Sequence, residues 1–257
     1  MKDRNKGRQN SYRKVSYKKK TKKPLEDRPQ AEGRDPGTPT DPSGGIPVTI
    51  ETRSPLILGG GKADVNLDLD VVCDSVGLPY FPGRRFKGLL FESLLEVVEM
   101  SEQSGLLLCT RGELDRLFHH GRDDGPQMVI SDFCLYRYEE MKKSWAWLEQ
   151  AYGDRFTKED VLQEYSSVRF STSIDKETGT ALDGSLHNVR ALDGGLRFYG
   201  TIRLEGGRDR ENELLALGLA NLRSAGMKRN RGFGEISCEM EGQEKWLDKA
   251  LARGGKA

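Results

Sequence analysis

Ile46, Val48 and Ile50 alternate with polar neighbours, the period of two that marks a half-buried strand. The same alternation returns at Leu67, Leu69 and Val71, interleaved with Asn66, Asp68 and Asp70. In a strand this places the aliphatics on one face and the carboxylates on the other. After Pro82-Gly83 the period changes: Phe86, Leu89, Leu90, Leu94, Val97 and Val98 follow helical spacing. Leu114 to Phe118 reads as a short helix ended by His119-His120-Gly121, Val129 to Leu135 as a strand, and Trp145 to Tyr152 as another short helix. Val168–Ile174 and Leu196–Leu204 read as the strands of a long hairpin-like region. The polar excursion between them, Asp175 to Gly195, carries turn signals at Thr178-Gly179, Asp183-Gly184 and Gly194-Gly195. Leu214, Leu215, Leu217, Leu219 and Leu222 form one face of a helix over Glu211–Arg223; Phe233–Met240 reads as a strand and Trp246–Leu251 as a last helix.

This order suits an α+β fold, a ferredoxin-like (RRM-like) sandwich with helices on one face of an antiparallel sheet. The expected division is a basic disordered tail over 1–45, a folded domain over 46–242 with an insertion near 175–195, and a C-terminal helix or tail over 243–257.

The chain has 257 residues, 35% hydrophobic and 32% charged, with a formal net charge of +1. That balance hides an asymmetry. Residues 1–23 carry eleven Lys and Arg against the single acid Asp3, a formal +10, which leaves −9 on the remainder. Pro24, Pro29, Pro36, Pro39 and Pro42 follow, then Gly44-Gly45. So few apolar residues cannot repay the entropy of ordering. Tyr12 and Tyr17 among the lysines suit either base stacking beside phosphate contacts or a merely solubilising tail. Cys73, Cys109, Cys134 and Cys238 form no CxxC pair, so zinc-site spacing is missing. Scattered thiols without an apolar leader point to a reducing cytoplasm, and no apolar run reaches the length of a membrane span.

Candidate chemistry gathers at three places. Gly226-Met227-Lys228-Arg229-Asn230-Arg231-Gly232-Phe233-Gly234 sets three cations between three glycines. Glycine lets backbone N–H groups come close to a ligand, and Arg and Lys suit a phosphate; a plain hairpin turn with solvated charges fits the pattern equally. Arg84, Arg85 and Lys87 open the helix after Pro82-Gly83. The macrodipole disfavours cations there, so their presence makes sense if an anion is bound. Asp68 and Asp70, on one strand face, suit either a divalent cation and acid–base work or the charged face of an edge strand. Gly59-Gly60-Gly61-Lys62 lacks Walker A spacing and reads as a turn. Adjacent His119 and His120 point to different sides of a helix and do not make a metal site.

In order along the chain, Pro82-Gly83-Arg84-Arg85-Phe86-Lys87-Gly88, then Leu117-Phe118 with Ile130-Ser131-Asp132, then Val168-Arg169-Phe170 through Ile174-Asp175-Lys176, and finally Gly226 through Gly234 resemble segments of the RAMP superfamily. The nearest likeness is to the backbone subunit of type III CRISPR effector complexes. The first segment is similar to that family's PGSSLKG helix start and the last to its C-terminal Gly-rich loop. The resemblance implies a RAMP fold with a thumb β-hairpin. It implies a guide (crRNA) backbone held at Arg84, Arg85, Lys87, Gly226, Lys228, Arg229, Arg231, Gly232 and Gly234. It also implies target RNA, other CRISPR effector subunits and neighbouring RAMP subunits as partners. In target-cleaving members one Asp upstream of the PG turn supports metal-dependent cleavage. Counting back lands on Asp68, with Asp70 as the near alternative and Mg2+ or Mn2+ as the implied cation at Asp68. The chain departs from the pattern where Arg84 and Arg85 replace serines, Met227 replaces a glycine and Arg229 a small residue.

Overall fold

The computed structural model of the chain describes residues 45–60, 69–118, 127–153, 155–175, 177–182, 184–205 and 209–254. Strand β1, Ile46–Thr52, turns Val48, Ile50 and Thr52 into the interior, as its alternation requires. It lies between β7 (Arg197–Glu205) and β8 (Ile236–Met240), antiparallel to both, with Ile50 opposite Phe198 on one side and Cys238 on the other. Strand β4 (Phe133–Leu135) pairs with β7 and β3 (Gln127–Ile130) extends the same edge of β7; the two-residue β2 (Tyr80–Phe81) closes the sheet beyond β4.

Two long helices cover one face of this sheet. Helix α1, Gly83–Ser104, buries Phe86, Leu90, Leu94, Val97 and Val98. Helix α5, Asp209–Asn221, crosses it so closely that a Cβ at Gly218 would lie 2.7 Å from Leu94. Ser93 donates its hydroxyl to the Gly218 carbonyl at 2.8 Å in the same crossing. The spatial order β8-β1-β7-β4, with α1 following β1 and α5 following β7, is that of a ferredoxin-like sandwich. Close approach also explains Gly200 on β7: a Cβ there would meet the ring of Phe133 at 2.6 Å.

The remaining elements are additions to that frame. Helix α2, Arg111–Phe118, packs Leu114 and Leu117 under α1. Between β4 and β7 come α3 (Tyr138–Tyr152), α4 (Lys158–Gln163) and a separate two-stranded sheet, β5 (Ser166–Ser171) with β6 (His187–Leu192). Helix α6, Gln243–Gly254, rests on α5; Arg253 reaches Glu213 at 3.0 Å and Lys249 reaches Asp209 at 2.8 Å.

The hairpin partner is the main departure from the sequence expectation. The strand from Val168 pairs with His187–Leu192, inside the supposed polar excursion, and not with Leu196–Leu204. Residues Val189 to Leu192 are buried in succession. A strand covered on both faces loses its alternation, and the buried charge of Arg190 breaks up what would otherwise be an apolar run. The turn signals at Gly179 and Gly184 hold, with φ of 68° and 73°. The acidic strand is a looser segment than its alternation suggests: Leu69, Val71 and Cys73 make single bridges to Val189, Gly59 and Pro79.

Candidate nucleic-acid interface

The glycine-bordered loop 226–234 is closed at its base. Ala225 and Gly234 are joined by an N–H to carbonyl bond of 2.8 Å, Gly234 donates to the Pro55 carbonyl at 2.8 Å, and Met227 donates to the Ile57 carbonyl at 3.0 Å. Gly226 has φ 75° and no room for a Cβ, which would lie 2.5 Å from the Ile57 oxygen. Gly234 has φ 79°, and a Cβ there would run into the Ala225 carbonyl. Gly232, φ 78°, faces open space. Between them Lys228 itself takes the left-handed conformation, φ 58°, and Arg229–Arg231 form one 3-10 turn. The chain doubles back twice, so Arg229, Asn230 and Arg231 stand out exposed.

Helix α1 begins beside this loop. A groove of about 470 Å³ is lined by Ile57, Leu58, Gly59 and Leu69 on one wall, by Arg85, Gly88, Leu89 and Glu92 of α1 on the other, and by Gly226 and Met227. Leu89 and Glu92 also border a second concavity of about 350 Å³ that reaches Ser224 and Arg229. Ser224 and Arg229 border a third, of about 610 Å³, lined further by Lys228, Asn230 and Arg231. The three adjoin through shared residues, giving one track from the start of α1 to the basic loop. Of the cations expected at the helix start, Arg85 lines this track, whereas Arg84 and Lys87 do not. One turn of helix separates 85, 88–89 and 92 on a common face; 84 and 87 project elsewhere.

The helix start also holds an anion of its own. The anion at its N-terminus is a side chain of the protein: Asp132 accepts the Gly83 N–H at 2.8 Å, and the Arg85 N–H turns back to the Pro82 carbonyl at 3.0 Å. Gly83 is required by packing, since a Cβ there would meet the Ser131 and Ile130 carbonyls. Inside the track, Glu92 approaches Arg229 at 3.9 Å, both side chains largely exposed.

Asp68 lies outside the described residues. Asp70 is committed elsewhere: Oδ1 accepts the Val71 N–H at 2.8 Å and Arg190 Nε at 3.0 Å. These bonds engage Oδ1 of its carboxylate, and among the described residues no group of three His, Cys, Asp or Glu side chains is arranged to hold a metal ion. His119 and His120 also lie outside the described residues. The hairpin β5–β6 carries Phe170, Ile174, Leu182 and Leu186 as exposed apolar side chains, Phe170 being 68% accessible.

Sequence reasoning missed the groove wall at Ile57 and Leu69 and the buried cation Arg190. Only a charge set within Val189-Arg190-Ala191-Leu192 signalled the latter.

The model of the RAMP superfamily matches residues 49–237. The chain belongs to the RAMP superfamily. Among solved structures it is similar to a subunit of the type III-B Cmr-beta complex bound to cognate target RNA, at 13% identity and TM-score 0.54, covering 79% of this chain and 98% of that one. A subunit of the same complex in its apo state gives the same identity and TM-score, over 77% and 97%. At that identity the likeness is one of fold. No curated protein matches the chain. As a RAMP protein it has a ferredoxin-like frame; the glycine-bordered loop 226–234 and the hairpin between β4 and β7 lie within the matched span. Among the described residues no helix is long and apolar enough to cross a membrane.

Proposed function

We propose that the chain is a guide-RNA-binding backbone subunit of a type III CRISPR effector complex. The observation that carries this is the single track joining Arg85 of α1 to Lys228, Arg229 and Arg231 of the glycine-bordered loop. A ribose-phosphate chain laid along it meets cations at both ends and an apolar floor of Leu69, Leu89 and Met227 between. Phosphate contacts of this kind fix position without reading sequence, which suits a subunit that must hold any guide. Gly226 keeps the loop backbone against the groove wall for that approach. The solved complexes of similar fold, one of them with target RNA, support the assignment to this class of assembly, with target RNA and neighbouring effector subunits as partners.

The exposed apolar side chains of the β5–β6 hairpin fit a thumb that wedges into a guide–target duplex. Phe170 and Leu186 are the side chains offered to bases; stacking on an aromatic face is worth about 1–3 kcal/mol per base.

In the finer reading Asp68 cleaves the target RNA. Asp70 is the near alternative, and its ion pair with Arg190 ties it to the hairpin. A binding-only subunit is the second reading. It is favoured by the same ion pair, because it gives the acidic stretch a structural task.

One experiment separates these. Labelled target RNA is incubated with the assembled complex carrying wild-type or Asp68→Ala chain, in Mg2+, in Mn2+ and in chelator. Loss of all cuts in the variant with binding retained supports cleavage; undiminished cutting at every position removes Asp68 from the reaction. Binding itself is tested on the isolated chain by RNA anisotropy titration, and an Arg85→Ala, Arg229→Ala, Arg231→Ala chain that binds as tightly as wild type overturns the proposal.

A further inference from the structure

Arg190 is 1% exposed, the largest fully buried side chain among the described residues. A buried guanidinium is costly unless its donors are met. Here they are met from three places. Nε donates to Asp70 at 3.0 Å, Nη1 to the Ser166 hydroxyl at 3.3 Å, and Nη2 to Glu159 of α4. The backbone joins in: the Arg190 N–H donates to the Leu69 carbonyl at 3.0 Å, and Leu69 bridges Val189 in parallel. The segment Leu69-Asp70 is thus tied to strand β6 by main chain and side chain together.

Leu69 is also a wall of the groove. It belongs to a small core separate from the main one, built on buried Ile57, Val189 and Ala191 with Leu69 and Phe233 packed against them. Those residues come from the groove wall, the hairpin and the glycine-bordered loop. Ile57 in turn accepts the Met227 N–H that anchors the loop. Three parts of the proposed RNA interface therefore share one packed nucleus, and Arg190 supplies its only guanidinium clamp among the described residues.

We propose that Arg190 is a positioning residue, one that touches no RNA but locks the Leu69 wall of the groove to the hairpin so that both move as a unit. This rests on the RNA-binding reading above. Its consequence is reciprocal: RNA seated in the groove stiffens β6, and displacement of the hairpin disturbs the groove.

The test uses the full chain, a labelled single-stranded RNA and amide exchange read by mass spectrometry. In the wild type, RNA is expected to slow exchange over β6, where the Arg190 and Leu192 amides reside. In Arg190→Gln that protection is expected to be lost, with RNA affinity lowered by at least about fivefold, the lower end of measured couplings. Pairing Arg190→Gln with Asp70→Asn replaces that ion pair by a neutral amide pair, leaves the half-exposed Glu159 to solvent, and is expected to recover most of the affinity. This double variant also keeps the test alive should the single one not fold. Unchanged affinity together with unchanged β6 protection in a folded variant overturns the proposal.

Exchange without RNA keeps the two readings apart. A clamp speeds exchange over 187–192 and at Met227 while β7 amides stay as in wild type. A general stabiliser speeds all of them alike, and that pattern sinks the positioning role whether or not RNA binds. If the wild-type chain binds no RNA, the functional reading fails on its own, and the RNA-free pattern still decides the clamp.

Discussion

The Met227 N–H donates to the Ile57 carbonyl at 3.0 Å, and the neighbouring Gly226 leaves a Cβ no more than 2.5 Å from that same oxygen. Loop and groove wall are therefore in backbone contact, with no side chain between them. Gly226→Ala must both accept φ 75° and push the Ile57 carbonyl away. The left-handed conformation alone costs about 1–2 kcal/mol, and the displaced wall adds to it. RNA affinity is expected to fall by more than about tenfold, equivalent to 1.4 kcal/mol. Gly232→Ala has the same conformational cost but open space around it, so the chain should lose a little stability and keep most of its affinity. Thermal unfolding and RNA titration on the two variants side by side check this.

The helical face gives a sharper test of the track. Arg85 lines it; Arg84, its immediate neighbour, does not. Arg85→Ala is expected to weaken binding and to reduce the slope of log affinity against log salt by about 0.7, the value for one single-strand phosphate contact. Arg84→Ala should leave the slope unchanged. Equal effects from both would mean that the RNA follows a different path.

Acid stability is expected to depend on a carboxylate pair away from the groove. Glu113 accepts two hydrogen bonds from Arg210, and Glu213 is held by Arg210 at 2.7 Å and Arg253 at 3.0 Å. Burial alone pushes both carboxyls upward, but hydrogen bonds outweigh it, from Arg210 and Thr110 at Glu113 and from Arg253 and Arg210 at Glu213, and hold both below the usual range. A lowered folded value means that the unfolded chain binds protons first. The stabilisation is complete above the ordinary glutamate value of about 4.3 and fades as pH falls through it toward the folded one. Glu113→Gln should flatten the acid limb of a plot of unfolding midpoint against pH. An unchanged limb assigns acid unfolding to other groups.

The thiols offer a chemical check on burial. Burial raises Cys109 and Cys238 to about 12 and Cys134 to about 11. Thiolate is the reactive form, so iodoacetamide at neutral pH should leave these three unmodified in the native chain and label them on unfolding. Rapid native labelling of Cys238 would contradict its buried place on β8 beside Ile50.

Much of the frame is legible in the sequence because its signals are periodic and local. The alternation at Ile46, Val48 and Ile50 and the spacing from Phe86 to Val98 each point to a single face. Glycines at 226, 232 and 234 are equally readable, since each has φ near 75–79°. What escapes is long-range. Whether Val168 pairs with Arg190 or with a later strand depends on what covers each face, and a lone Arg inside an apolar run conceals the answer. Asp132, 49 residues from Gly83, gives no local hint that it serves the helix start. The same holds for Asp70, whose partner Arg190 is 120 positions away.

That placement of Asp132 bears on how the protein meets a polyanion. With a carboxylate already bonded to the first N–H of α1, a phosphate drifting nearby is repelled at short range. Attraction has to be supplied by long, bendable side chains such as Arg85 that reach past the plug. Grip on the strand then tightens or slackens with the bathing electrolyte. Because it is divided among separate arms, it can be weakened in steps, one truncation at a time.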